Sequence, residues 1–151
     1  MEWTHQSEGQ SNQPVVFGRE QNEGLPGRFQ LVLEAYLTLI RFDLYLARED
    51  FESLYNKVRN YPIRNKAALS EAVEQICSAV DMACIWYCKE ILCLQRSAAT
   101  TCLLRKHGVP AHLVIGAQQM PFKAHAWVEV DGKVVNDKQC VHELYARLDQ
   151  C

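Results

Sequence analysis

The sequence lacks most of the features that mark exported, membrane-spanning or polyanion-binding chains. Its longest apolar run, Phe29 to Ala47, is interrupted by Glu34, Arg41 and Asp43. Each of these would cost about 2.5–3.5 kcal/mol at the centre of a bilayer, so the run is not a transmembrane span. The opening residues, MEWTHQSEGQ, contain no basic stretch followed by an apolar core, and a secretory signal is therefore not expected. Charge of either sign is also not in excess: Lys+Arg 16 against Asp+Glu 18 gives a net charge of −2. With no global field and no local basic patch, neither nucleic acid nor an anionic membrane is an expected partner. Paired C-x-x-C motifs are missing as well. Cys84, Cys88 and Cys93 stand close together but lack the partners that would complete four zinc ligands, so no metal and no cofactor is expected.

The sequence does have seven cysteines, an odd number, and several of them sit inside apolar helical patterns. A reduced thiol set in a cytoplasmic chain fits that usage, with most of the thiols acting as small buried hydrophobes. Residues 1–27 hold four of the seven glycines and two of the five prolines among Gln, Asn and Glu, which predicts a disordered tail. Residues 28–151 are then one domain, with a helical part over 28–92 and a second part over 93–151 that holds the candidate catalytic residues named below.

Polar positions Gln30, Glu34, Thr38 and Arg41 form one narrow stripe on a helix from Phe29 to Arg48 whose remaining surface must be covered. A short helix over Phe51–Arg59 ends before Pro62. Ser70 can cap the next helix, and Val73, Cys77, Val80, Cys84, Tyr87 and Ile91 repeat along it as a predicted core stripe. A further helix runs from near Cys93 to His107 and stops at Gly108 and Pro110, although no Gly or Pro marks its separation from the one before. Extended segments follow at Ala111–Gly116, Lys123–Val130 and Lys133–Asp137, with a turn at Asp131-Gly132 and a last helical turn over His142–Leu148. Helices followed by a strand meander predict an α+β fold.

A thiol at a helix N-terminus faces the positive end of the helix dipole, which favours the thiolate, and Cys93 is the cysteine placed that way. Thiolate chemistry needs a base that can take up a proton and return it to a leaving group, and imidazole does this best near neutral pH. His125, in AHAWVEV, is the candidate base. A carboxylate that fixes the imidazole tautomer completes the set, and Asp137 ends VVND. Hairpin register tests this arrangement. A two-residue loop pairs Val130 with Lys133 and turns Asp137 away from His125. A three-residue loop with Gly132 in the left-handed region pairs Glu129 with Lys133, sets His125 opposite Asp137 and stacks Trp127 over Val135. The three-residue register is the expected one.

Blander roles compete for the same residues. A lone cysteine in a helix usually packs, a lone histidine on a strand is often a satisfied core or surface group, and Asp in VVND can simply cap a turn. His5 and His142 read as bystanders, Trp127 as a wall packed against the site, Gln95 as a neighbour of the thiol, and Arg96 and Arg105 as solvated.

The run CLQRSAATTCLLRKHGVPAHLVIGAQQMPFKAHAWVEVDGKVVND closely resembles the C-terminal half of the lasso peptide maturation proteases, cysteine peptidases of the transglutaminase-like superfamily. Four motifs carry the resemblance: Cys-Leu-x-Arg-Ser, an apolar strand with Ile-Gly, Pro-Phe-x-Ala-His-Ala-Trp-Val-Glu, and Val-Asn-Asp. Residues 28–89 resemble the family's preceding region more weakly. The resemblance implies a catalytic helix packed on a small antiparallel sheet, as in transglutaminase-like and papain-like cores. It also implies removal of a leader peptide from a ribosomally made precursor through a thioester, with Cys93 as nucleophile, His125 as base and Asp137 as orienting acid. A backbone N–H near Cys93 would stabilise the oxyanion. The implied partners are the precursor leader, a separate leader-recognition protein, since no fused recognition domain is legible in residues 1–92, and the lasso cyclase. Two other readings stay open on the sequence: an acyl transferase that delivers the same thioester to an amine, and a non-catalytic scaffold for precursor and cyclase. The intact Cys93, His125 and Asp137 argue against the scaffold.

Overall fold

The computed structural model describes residues 26–48, 50–64 and 70–151. The expected disordered tail lies outside the described residues except for Pro26 and Gly27, and His5 lies outside them altogether. Among the described residues, five helices and four strands follow in the order α1 (Arg28–Ala47), α2 (Phe51–Arg59), α3 (Ser70–Ile85), α4 (Cys93–Lys106), β1 (Ala111–Gln118), β2 (Lys123–Val130), β3 (Lys133–Val134), α5 (Val141–Leu144) and β4 (Ala146–Gln150). The strands form one antiparallel sheet in the order β3-β2-β1-β4. This is the expected α+β arrangement, a helix packed on a small sheet. No helix among the described residues is long and apolar enough to cross a membrane.

Helix α4 is the centre of the molecule. It packs against α1 and α3 on one side and against β1 and β2 on the other, and every residue from Ser97 to Arg105 is buried. A helix enclosed this way needs small side chains where neighbours come close, and Ala98, Ala99, Thr100 and Thr101 supply them. The hydroxyls cost little because they bond back along the helix: Thr100 Oγ1 donates to the Arg96 carbonyl and Thr101 Oγ1 to that of Ser97, both at 2.9 Å. Leu31, Ala35 and Leu39 of α1, Ile76 and Ala83 of α3, and Leu113 and Val128 of the sheet complete the core.

The structure departs from the sequence expectations in several places. α3 stops at Ile85 rather than continuing to Ile91, because α1 captures the residues that would extend it. Tyr87 Oη donates to Asp43 Oδ2 at 3.3 Å, and Lys89 Nζ pairs with Asp43 Oδ1 at 2.5 Å. The buried face of α3 is Ala72, Ile76, Ala79, Val80 and Ala83, while Val73, Cys77 and Cys84 of the expected stripe are only half-buried. α1 likewise leaves Phe29, Leu33, Leu37 and Leu44 exposed, although its apolar surface outside the polar stripe is expected to be covered. Arg105 is buried instead of solvated. Its Nε donates to the Ala111 carbonyl at 2.7 Å and its Nη1 to that of Val58 at 2.6 Å.

The expected register of the second hairpin is overturned. β2 and β3 pair Val130 with Lys133 and Glu129 with Val134, so the loop has two residues. Asp131 and Gly132 take φ values of 50° and 73°, the two positive angles that a type I′ turn requires and an Asp-Gly pair provides. Glu129 is therefore not paired with Lys133. It is buried, accepting from Trp127 Nε1 at 2.7 Å and from Arg147 Nη2 at 2.8 and 2.9 Å. Trp127 packs with Val114, Val134 and Val141 rather than over Val135. The expected last helix over 142–148 shrinks to the single turn α5, and the chain then extends as β4 along β1.

Candidate active site

Cys93 is the first residue of α4, following Leu92 at the N-cap, and the first helical bond runs from the Arg96 amide to the Leu92 carbonyl at 3.0 Å. The amides of Cys93, Leu94 and Gln95 therefore have no carbonyl of their own helix to bond, which is the usual state of a helix start. Cys140 also precedes a helix, but α5 is only four residues long. The remaining thiols differ in setting. Burial pushes Cys102 up to about 12, and burial with the neighbouring Asp81 pushes Cys77 up to about 11. Burial also raises Cys84 and Cys151.

His125 lies on β2, and its Nε2 is 2.6 Å from Asp137 Oδ2. Partial burial works against the charged form of Asp137, but hydrogen bonds from His125 and the Lys138 amide, with electrostatic attraction from His125 and Arg96, hold its carboxyl below the usual range. An ionised carboxylate can only accept, so Nε2 carries the proton and Nδ1 is left to receive one. Tyr145 and Trp127 flank the imidazole, with ring centroids 5.0 and 6.3 Å away. Trp127 is the wall expected of it. His142, read as a bystander, meets the Trp127 ring edge-on at 5.9 Å and lies 3.7 Å from Glu129 Oε1.

Asp137 reaches His125 even though the observed register would turn it away, because the ladder ends early. In a regular antiparallel pair two opposed residues exchange both hydrogen bonds. Val135 donates its amide to the Val128 carbonyl at 3.0 Å, but Val128 donates its own amide to Asn136 Oδ1 at 2.7 Å and not to a backbone oxygen. Past this point the chain leaves β2, and Asp137 is free of the strand alternation that would have put it on the other face. The vacated edge of β2 is closed by α4. Ser97 Oγ donates to the Ala126 carbonyl at 2.9 Å and accepts from Asn136 Nδ2 at 2.9 Å.

Three sequence-predicted residues thus have two degrees of contact. His125 and Asp137 are hydrogen-bonded. Cys93 starts the helix that Ser97 fastens beside His125, and among the described residues no hydrogen bond joins it to either partner. Gln95 is buried and donates to the Leu39 carbonyl of α1 at 3.0 Å. Arg96 forms a two-point contact with Asp81 of α3, at 3.1 and 2.6 Å. Ser97 and Asn136 stand in the Cys-Leu-x-Arg-Ser and Val-Asn-Asp motifs without a role of their own in the sequence: Ser97 lies four residues after Cys93 on the same helix face, and Asn136 immediately precedes Asp137. No group of three or more His, Cys, Asp or Glu among the described residues could hold a metal ion.

Comparison with known proteins bears on this arrangement. No solved structure matches the chain. Forty-five residues are 49% identical to the microcin J25-processing protein McjB of Escherichia coli, covering 30% of this chain and 22% of that protein. A family model described as the transglutaminase-like superfamily matches residues 36–149, from the middle of α1 to the end of β4. The match spans the central helix, the whole sheet and the residues around His125 and Asp137, and the chain belongs to the transglutaminase-like superfamily.

Proposed function

We propose that this protein is a cysteine peptidase that removes the leader from a ribosomally made lasso peptide precursor. The observation that carries the reading is the 2.6 Å hydrogen bond between His125 Nε2 and Asp137 Oδ2, on the strand beside the helix that begins at Cys93. The similarity to McjB supports the substrate class, because that protein processes microcin J25 by its name.

In this mechanism Nδ1 of His125 takes the Cys93 proton, and Asp137 stabilises the imidazolium through Nε2. The sulfur adds to the carbonyl carbon at the leader–core junction, and the amides at the start of α4 receive the developing oxyanion. Collapse breaks the C–N bond. The leader stays on Cys93 as a thioester, and the core leaves as an amine that carries the imidazolium proton. Water activated by His125 then hydrolyses the thioester and restores the thiol. A separate recognition protein delivers the leader, and the freed amine passes to the cyclase.

Incubation of the protein with precursor and recognition protein, followed by mass spectrometry, tests the reading. Free leader acid and free core are expected, and both disappear in Cys93→Ala. Cleavage that persists in Cys93→Ala sinks the mechanism, and cleavage without the recognition protein sinks delivery in trans. An added amine that appears on the leader in place of water would make the protein an acyl transferase.

A further inference from the structure

We infer that Ser97 and Asn136 together are the positioning residues that register the Cys93 helix against the His125–Asp137 pair, an assignment that rests on the cysteine peptidase reading above. Their bonds form one closed relay. The Val128 amide donates to Asn136 Oδ1 at 2.7 Å, Asn136 Nδ2 donates to Ser97 Oγ at 2.9 Å, and Ser97 Oγ donates to the Ala126 carbonyl at 2.9 Å. Each donor has an acceptor and the hydroxyl proton has a single direction in which to point, so the relay has one arrangement. Ser97 is 1% exposed and Asn136 9%, and no buried side-chain polar atom among the described residues lacks a partner.

The relay touches each member of the candidate triad through the chain. Ser97 lies one helical turn after Cys93 on the same face. Ala126 follows His125, and Asn136 precedes Asp137. Asn136 also decides where Asp137 goes. Its side-chain carbonyl takes the position at Val128 that the Val135 carbonyl would fill in a regular ladder, which is what releases the next residue from strand alternation. A hydrophobic residue at position 136 would let β3 continue and carry Asp137 to the wrong face. The two side chains touch no reacting atom; they act by holding the groups that do.

The experiment is site-resolved alkylation of Cys93 by iodoacetamide from pH 5 to 8, read by mass spectrometry, with circular dichroism of every variant. In the unaltered protein Cys93 should react on the acid side of this range, and His125→Ala should abolish that limb. Ser97→Ala and Asn136→Ala should lose at least tenfold of it while keeping the native spectrum. Asn136→Asp provides a test should either alanine variant fail to fold. A protonated carboxyl can still accept from Val128 and donate to Ser97, whereas an ionised one beside Asp137 cannot donate. The reactivity of Asn136→Asp relative to the unaltered protein should therefore fall at least tenfold from pH 5 to pH 8. Folded alanine variants within twofold of the unaltered protein, or a ratio for Asn136→Asp that stays flat with pH, overturn the assignment. If the unaltered protein shows no His125-dependent limb, the cysteine–histidine reading itself has failed, a result distinct from either of these.

Discussion

Strand β2 is paired differently along its two edges. Toward β1 it forms an unbroken ladder from Ala111↔Val130 to Gln118↔Lys123. Toward β3 only Val130↔Lys133 and Glu129↔Val134 pair as strands; past them one backbone bond, from the Val135 amide to the Val128 carbonyl, is followed by side-chain bonds, Asn136 to Val128 and Ser97 to Ala126. The regular edge fixes strand position and needs nothing from the side chains except alternation. The irregular edge leaves backbone groups that must be satisfied, and the side chains that satisfy them come from α4 and from the residue before Asp137. A site needs groups from several elements at one place, and a ladder that stops early provides that place.

Three measurements would break or sharpen this contrast. The largest effect belongs to the irregular edge: Asp137→Asn should cut leader release by about 10³-fold or more, because the imidazole loses the charge that fixes its tautomer and steadies its cation. Melting should move little, since the side chain is 28% exposed and bonds no core group. A large loss of stability with activity retained would reverse the roles given to the two edges.

On the regular edge the expected effect falls on stability instead. A Cβ at Gly116 would lie 2.7 Å from Trp127 Cη2, 2.8 Å from its Cζ3 and 2.9 Å from the Ala146 carbonyl oxygen. The indole is buried and the oxygen is backbone, so Gly116→Ala should cost about 1–3 kcal/mol by overpacking, read as a lower Tm. An unchanged Tm would mean that β4 and Trp127 yield more easily than their burial implies.

Acid should produce the smallest effect. Asp137 titrates below its ordinary value of 3.8 in the folded chain, so its stabilising contribution is fully present above that value and is lost as pH falls through the lower folded one. The difference in Tm between the protein and Asp137→Asn should be constant above about pH 5 and shrink below pH 4. A difference that grew on acidification would contradict the sign.

The same contrast explains what was legible in the sequence. Periodicity in α1, the stops at Pro62 and at Gly108 and Pro110 for α2 and α4, and the extended pattern of β2 match the observed elements almost to the residue, and Asp131-Gly132 marks the turn. The expected register fails because it requires a continuous β3, and β3 pairs only at Lys133 and Val134. With a continuous β3 His125 can meet Asp137 only across a three-residue loop, whereas the chain keeps the type I′ turn and leaves the ladder after Val135. What ends the ladder is a side-chain amide acting as backbone, and it carries no periodic signal. β4 was hidden for a related reason: all five residues of ARLDQ are exposed, so no alternation marks them. The candidate site was legible as residue types, Cys93, His125 and Asp137, while Ser97 and Asn136 became visible only as partners of backbone groups.

Arg105 gives the other end of α4 a different character. The described residues give its guanidinium two carbonyl oxygens and no carboxylate, those of Val58 at the end of α2 and Ala111 at the start of β1. Its own carbonyl accepts from the Arg64 amide at 3.0 Å. The planar fork thereby ties the end of α2 and the start of β1 to α4, a two-point grip that lysine, with one point of charge, could not reproduce. The short helix has two buried side chains of its own, Leu54 and Val58, packs against α1, and gains a further anchor when the central helix is in place. Order would spread outward from the Cys93 helix, and in native-state hydrogen exchange the amides of α2 would open before those of α4.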